Sequence, residues 1–383
     1  RRRLQTNHEN ESEVADIAER AKDPRLQALY DEGVNVYSFS KLGTINSCLY
    51  GAWRTYILHD RGLGSVYTDL GSASHDALEN FIEGKSNSSE MLQTFRDALV
   101  QCELVGYDFP RDFRGTDSIK TKYIKDMENC FQTFTMPKGK FTIEELLILR
   151  VSPTRAMQGY SDLLRWNNDG SVTVLDLKTS SDYAQKDLLD HGRQLTIYGM
   201  ALEQAGYKVK STAWIMLKYV VIKYDWYATR RSKNKTQLTR IVNRSKIYDT
   251  IKDAVEAACH ETGMDEMDIE IAMMDFAKTN ILGDLFPAKV KAKFSIKPYV
   301  REYPYTKELQ DEALDYINKT ADLYESLPHD KDHPWEPCEI TKENQFFCNT
   351  LCGHRKTCPY IKDYNERTMV GATQSKKDEE DLF

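Results

Sequence analysis

Met157-Gln158-Gly159-Tyr160-Ser161-Asp162-Leu163-Leu164-Arg165-Trp166 runs into Asn167-Asn168-Asp169-Gly170-Ser171, then Val172-Thr173-Val174-Leu175-Asp176-Leu177-Lys178-Thr179. Two β-prone runs joined by an Asn/Asp/Gly cluster predict a hairpin. Pairing Trp166 with Val172 across the loop sets a register that places Asp162 opposite Asp176. Side chains alternate along a strand, so Lys178 shares the face of Asp176. Leu164, Trp166, Val172 and Val174 make the rest of that face core. Two carboxylates and an ammonium on such a face are costly to bury without partners. A bound Mg²⁺ or Mn²⁺ offsets that cost, because hard cations take carboxylate oxygens.

Working outward, residues 1–30 are charged and polar and read as a tail. Ser40 stands where it would cap a helix carrying Leu42, Ile45 and Leu49 on one stripe, within an aromatic stretch that also holds Cys48. Residues 71–82 form a second helix with Ala77, Leu78, Phe81 and Ile82 apolar; His75 lies near its start and Glu79 one turn later. A long helical region leads to the hairpin. Residues 185–205 are helical, with Gln194 and Tyr198 four apart and hence on one face. Residues 211–226 read as strand. The stretch 227–300 holds a basic segment, an acidic amphipathic helix around 251–259 and a strand-like 290–300. A clear amphipathic helix spans 306–327. The pattern is α/β with a mixed sheet.

The chain has 383 residues and a formal net charge of -7. That length suits one large domain with insertions, or two domains. The charge argues against a surface coated in cations, yet permits a local positive groove. No apolar stretch approaches the ~20 residues of a membrane span, and no secretory signal opens the chain. The first residue is Arg, which reads as a fragment or a processed end. Eight cysteines in a long chain without a signal peptide suggest reduced thiols or metal ligands. A cytoplasmic setting is the default, the host cytoplasm if the chain is viral.

His75, Asp162, Asp176-x-Lys178 and Gln194-x3-Tyr198 follow one another in the order of the PD-(D/E)XK nuclease superfamily. The chain resembles its RecB/AddB-type branch and the CRISPR-associated exonucleases with a cysteine-bound cluster, over roughly residues 36–226 and 333–360. Each motif alone is weak; the four in order are specific. The resemblance implies a restriction-endonuclease-like core with a central mixed sheet flanked by helices, plus a helical, cysteine-rich metal-binding lobe. It implies that His75, Asp162 and Asp176 bind Mg²⁺ or Mn²⁺, with the Leu177 carbonyl contributing. Lys178 would orient the attacking water, while Gln194 and Tyr198 position that lysine and the DNA phosphate. Glu79, Glu144 or Glu145 is available as a further ligand. The bland alternatives are a capping histidine, turn carboxylates paired with Arg165 or Lys178, and ordinary helix residues.

Cys348-x3-Cys352-x5-Cys358, with Cys338 ten residues earlier, reads as a set of metal ligands. The resembling nucleases join one N-terminal cysteine to three C-terminal ones around a [4Fe–4S] cluster, which here would use Cys48, Cys348, Cys352 and Cys358. Pro359 suits iron–sulfur ligation, whereas the family's usual Cys-x2-Cys step is Cys-x3-Cys here. The alternative is Zn²⁺ on Cys338, Cys348, Cys352 and Cys358, with His354 or His333 as substitutes. Cys102, Cys130 and Cys259 read as structural.

Arg230, Arg231, Lys233, Lys235 and Arg240, continuing to Arg244 and Lys246, form a basic stretch that reads equally as DNA phosphate contact or as a solvated loop. Tyr219, Tyr224, Trp226 and Tyr227 read as strand core. The domain plan is a tail (1–30), a nuclease core (31–330) with an insertion near 227–300, a cysteine-rich lobe joined to Cys48 (331–364) and an acidic disordered tail (365–383). Leu382-Phe383 at its end resembles a docking peptide of replication proteins. The function expected is a metal-dependent DNA nuclease, an exonuclease of replication, recombination or repair, with a phage or mobile-element origin. The alternative is a non-catalytic DNA-binding or assembly subunit on the same fold. No Gly-x4-Gly-Lys-Ser/Thr occurs, so unwinding would need a partner helicase, recombinase or other replication protein.

Overall fold

The computed structural model describes residues 23–112, 114–135, 139–229 and 231–368. Its elements run α1 (Pro24–Asp31), β1 (Asn35–Ser38), α2 (Phe39–Ser47), α3 (Leu49–Tyr56), α4 (Val66–Ile82), α5 (Ser88–Val105) and α6 (Ser118–Thr133). There follow β2 (Lys140–Ser152), β3 (Arg155–Trp166), β4 (Val172–Lys178), α7 (Leu188–Gln204), β5 (Val209–Tyr227) and β6 (Lys235–Asn243). The chain continues through α8 (Ile247–Glu261), α9 (Glu266–Thr279), α10 (Ala288–Lys291), β7 (Ser295–Tyr303) and α11 (Lys307–Ser326). No helix among the described residues is long and apolar enough to cross a membrane.

The seven strands make one mixed sheet in the order β1-β3-β4-β5-β6, with β2 added to β3 and β7 to β5. One face carries Leu164, Val172 and Val174 against Leu195 and Tyr198 of α7 and Ile317 of α11. The other carries Leu163, Leu175 and Leu177 against Leu70 and Leu78 of α4, Phe95 of α5 and Phe131 of α6. Each such fully buried side chain contributes about 1.5–3 kcal/mol, and the two layers fix β4 between them. The far half of β5 lengthens the sheet, and α8 and α9 cover Val220 and Ile222 there.

Several elements depart from the sequence expectation for identifiable reasons. Ser38, not Ser40, caps α2, its hydroxyl accepting from Lys41 N at 3.1 Å. Cys48 is extended and separates α2 from α3. Helix was expected up to the hairpin, yet Lys140–Ser152 is a strand. Its apolar run lacks alternation because both faces are covered: Leu146 packs on Leu26 and Leu29 of α1, while Leu147 and Leu149 join the α7 side. Part of the basic stretch is the edge strand β6, whose charges suit an edge exposed to pairing. Val290 belongs to a short helix, and the strand begins only at Ser295. The stretch expected as an N-terminal tail includes α1, and the Leu382-Phe383 pair lies outside the described residues.

Candidate active site

β3 and β4 pair from Trp166↔Val172 to Leu163↔Leu175, and there the ladder ends. The expected register therefore holds over four pairs and stops one short of Asp162 and Asp176. The reason lies in Asp162 itself. Its Oδ2 accepts the Leu177 amide at 2.7 Å, taking the place of a backbone acceptor. On the same edge of β3, β1 pairs only up to Gln158. Residues 159–162 thus face a notch between two diverging strands. A polar site can be built in such a notch without breaking a ladder elsewhere.

Asp176 is 2% exposed. Its Oδ2 lies 2.7 Å from Lys178 Nζ, yet no donor meets that oxygen at hydrogen-bonding angles. Burial works against the Lys178 charge, but Asp176 and Asp162 outweigh it and hold the ammonium firmly protonated. Burial, and then the neighbouring Asp176, push the Asp162 carboxyl upward. His75 reaches in from α4, with Nδ1 3.6 Å from Asp162 Oδ2 and a backbone partner in Leu177. Burial lowers its pKa, which favours the neutral ring that can ligate.

Glu144 is the residue of β2 that register would set against Asp162, but Ile143↔Leu163 and Glu145↔Ser161 pair while Glu144 does not. Its φ is +48°, a left-handed conformation in a non-glycine residue. Strain of this kind gathers at functional sites. Glu79 of α4 is pushed up to about 7 by burial and then by Glu144, and Asp162 also feels the Glu144 charge. Of the three further acids, Glu79 and Glu144 adjoin the cluster; Glu145 acts instead on Arg25 of α1.

On α7, Gln194 Nε2 donates to Tyr198 Oη at 3.1 Å. Tyr198 lies against β3 at Gly159, where a Cβ would stand 2.7 Å from the ring. Burial and then the Gln194 bond govern the Tyr198 hydroxyl, which is pushed up to about 12 and stays protonated as a donor. The helix face read from spacing is therefore turned toward Asp162, Asp176 and Lys178.

The family model of the PD-(D/E)XK nuclease superfamily matches residues 36–359. The chain belongs to that superfamily. Membership implies a nuclease, of a kind that ordinarily uses a divalent metal. No curated protein matches the chain. Among the described residues no three His, Cys, Asp or Glu groups form a ready coordination shell. The donor chemistry of the notch nonetheless fits a hard cation: a buried carboxylate oxygen without a hydrogen-bond donor, a second carboxylate, and a neutral histidine.

The basic stretch lies elsewhere on this superfamily core. Lys178 pairs with Met216 of β5, whereas Arg240 pairs with Ile222 and Lys235 with Tyr227. At about 3.3 Å per residue the separations along β5 are roughly 20 Å and 35 Å. Lys235 is bound to Glu261 at 2.7 Å. Arg244 is 3% exposed and serves the core, so it is removed from any phosphate-contacting set. Arg231, Lys233 and Arg240 are exposed, and Arg230 lies outside the described residues.

The C-terminal cysteines do converge with Cys48. Cys338 N donates to Cys48 Sγ at 3.4 Å, and the Cys338 thiol is pushed up to about 12 by burial and then by Cys48 and Cys348. Cys352 adjoins Cys48 and Cys358. All are free thiols. The segment is pinned by Tyr50 N to Glu336 O at 3.1 Å and Leu63 N to Gly353 O at 2.8 Å. His354 is buried beside Thr55, 3.2 Å away, and His333 is exposed on Asp330. Sequence reasoning missed Lys218, a nearly buried cation on β5 whose setting only the three-dimensional packing reveals.

Proposed function

We propose that this chain is a divalent-metal-dependent deoxyribonuclease, and specifically an exonuclease of DNA replication, recombination or repair. One observation carries the reading: Asp162 caps the Leu177 amide where β3 and β4 part, leaving the buried Asp176 oxygen undonated beside Lys178. Asp162, Asp176 and His75, with the Leu177 carbonyl, would hold Mg²⁺ or Mn²⁺. The bound ion supplies a lowered water pKa and neutralises charge gathering on the phosphate.

Lys178 is held charged, so it does not accept the water's proton. It instead orients the water and stabilises the hydroxide as the water's proton passes to bulk solvent; that oxygen bonds to phosphorus, the ester P–O bond breaks, and the leaving oxygen takes a proton from solvent. Tyr198 and Gln194 supply protonated donors from the α7 side, suited to placing Lys178 and a non-bridging phosphate oxygen. Arg231, Lys233 and Arg240 would meet phosphates farther along a bound strand. A partner helicase or recombinase would supply DNA ends, and a phage or other mobile element suits a free-standing enzyme of this kind.

The test is incubation with end-labelled single- and double-stranded DNA plus Mg²⁺ or Mn²⁺, using linear, end-blocked and circular substrates. Linear DNA is degraded, circles persist, and Asp176→Asn or Lys178→Met lowers the rate at least about a hundredfold. A wild type that leaves every substrate intact returns the chain to the non-catalytic DNA-binding class.

For the cysteines, the reading is a [4Fe–4S] cluster on Cys48, Cys348, Cys352 and Cys358, with structural Zn²⁺ including Cys338 as the rival. The convergence of Cys48 with Cys338 supports a shared site for both sets. An anaerobic preparation that is brown, with absorbance near about 400 nm from thiolate-to-iron charge transfer, supports iron. A colourless protein with stoichiometric zinc decides for the rival.

A further inference from the structure

A cavity of about 770 Å³ opens between α4, α6, the residues following β4 and the C-terminal segment. That is within the range of small-ligand pockets, about 300–1,000 Å³. Four aromatic rings, Tyr67, Tyr123, Phe346 and Phe347, stand in its wall among hydroxyl and charged side chains. Phe346 and Phe347 are 49% and 44% exposed, two consecutive large apolar rings that the core does not use. They lead into a π-helical turn, Phe347–Leu351, a form common at functional sites.

Two cations, Lys122 and Lys218, line the same space. Lys218 is 9% exposed and stands 5.1 Å from the centre of the Tyr123 ring. It has no hydrogen-bond or ion-pair partner among the described residues. Asp126 also lines the cavity, but its oxygens are engaged by Ser245 N at 2.7 Å and Asn243 Nδ2 at 3.2 Å. An amphipathic cavity with flat rings and an uncommitted buried cation suits a ligand that is planar and anionic together.

The cavity borders the segment that carries the active-site lysine. Thr179, which follows Lys178 in the chain, forms part of its wall. A Cβ on Gly71 would lie 3.7 Å from Thr179 Oγ1, so α4 crosses the end of β4 closely there. His75 follows one turn later on α4, while Thr68 of the cavity wall precedes it by about 10 Å of helix rise.

Resting on the nuclease reading above, we propose that this cavity receives an unpaired nucleobase of a single DNA strand whose neighbouring phosphate lies at Asp162 and Asp176. The base stacks on Phe346 and Phe347, and Lys218 takes the phosphate of the inserted nucleotide. A paired base is held in its own stack and does not enter, so the substrate class is single-stranded or end-frayed DNA. Stacking is tolerant of sequence because every base has a π-face.

The test is binding of fluorescein-labelled oligonucleotides in EDTA, where no cleavage occurs. A parallel series carries 2-aminopurine, a fluorescent adenine analogue, at successive positions. The wild type binds the single strand and quenches one or two positions below the level in the free strand. Phe346→Ala/Phe347→Ala abolishes that quench and weakens binding about tenfold or more, with an unchanged melting temperature because both rings are exposed. Lys218→Met lowers the salt slope of binding by about one.

No binding, no position-specific quench, an unchanged double variant, or equal quenching in a blunt duplex each overturns the proposal. The two readings fail separately. Quenching without any Mg²⁺- or Mn²⁺-dependent cleavage keeps the cavity and removes the nuclease; cleavage without quenching removes the cavity alone.

Discussion

Two buried polar clusters lie on this sheet, and they are finished differently. Around Arg244 the guanidinium is tied to three acceptors: Nε donates to Leu217 O at 2.6 Å, and Nη1 donates to Thr133 Oγ1 at 2.8 Å and Asn129 Oδ1 at 3.2 Å. Asn129 in turn donates to the Asn280 carbonyl at 3.1 Å, so α6, β5 and α9 are tied at one point. Around Asp176 the count does not close. One buried oxygen lacks a donor at hydrogen-bonding angles, Glu144 is strained, and four acids, Glu79, Glu144, Asp162 and Asp176, crowd one histidine and one lysine. A complete network stabilises a fold, whereas an incomplete one at similar depth marks a place kept for something else.

The sharpest way to break this contrast is to remove the centre of each cluster. Arg244→Met leaves the Leu217 carbonyl, Asn129 Oδ1 and Thr133 Oγ1 without their donor. It is expected to cost about 3–5 kcal/mol in urea denaturation, with near-normal specific activity in whatever fraction remains folded. Asp176→Asn reverses the pattern: stability is unchanged or higher, because one buried charge is gone, and cleavage falls as stated above. Equal stability losses in the two variants would show that both clusters are structural.

Lys218 is a third case: it is buried like Arg244, yet it has no hydrogen-bond or ion-pair partner among the described residues. Burial lowers its pKa to about 8; Asp126 raises it in part and Lys122 of the same helix lowers it further. The unfolded chain keeps the ordinary lysine value near 10.5. Between those two pH values the unfolded state binds more protons, so native stability rises with pH. The penalty is complete below about pH 8 and gone above about 10.5. Lys218→Met should therefore stabilise the protein at pH 7 by on the order of 2 kcal/mol, less than the full shift implies. The gain shrinks to nothing above pH 10.5. Melting curves across that range that run parallel for both proteins would contradict a charged lysine in this cavity.

Much of the site was legible because its residues act locally. Trp166↔Val172 followed from the turn residues, and the α7 face of Gln194 and Tyr198 followed from helical spacing. What escaped reading depends on packing between distant segments. β2 is buried on both faces and so lacks the alternation that announces a strand. Arg244 sits in a run of cations that looks solvated, yet its neighbours in space come from α6 and β5. The parting of β3 and β4 was equally hidden, because a side chain that substitutes for a ladder acceptor has no signature in composition or period.

Glu144 tests the same contrast on the smallest scale, by separating strain from chemistry. Its φ of +48° is one that glycine adopts freely and other residues resist. Glu144→Gly relieves that strain and, with it, the repulsion of Glu79 and Asp162. Glycine's extra freedom in the unfolded chain offsets part of the gain. The net expectation is a stabilisation of about 1 kcal/mol, together with lower nuclease activity because an acid beside Asp162 is lost. Glu145→Gly, one residue on and regularly paired with Ser161, should lose stability and leave cleavage nearly unchanged. If Glu144→Gly destabilises as Glu145→Gly does, the left-handed turn is an ordinary irregularity of β2, and the acids of the notch number two on the strands plus Glu79 alone.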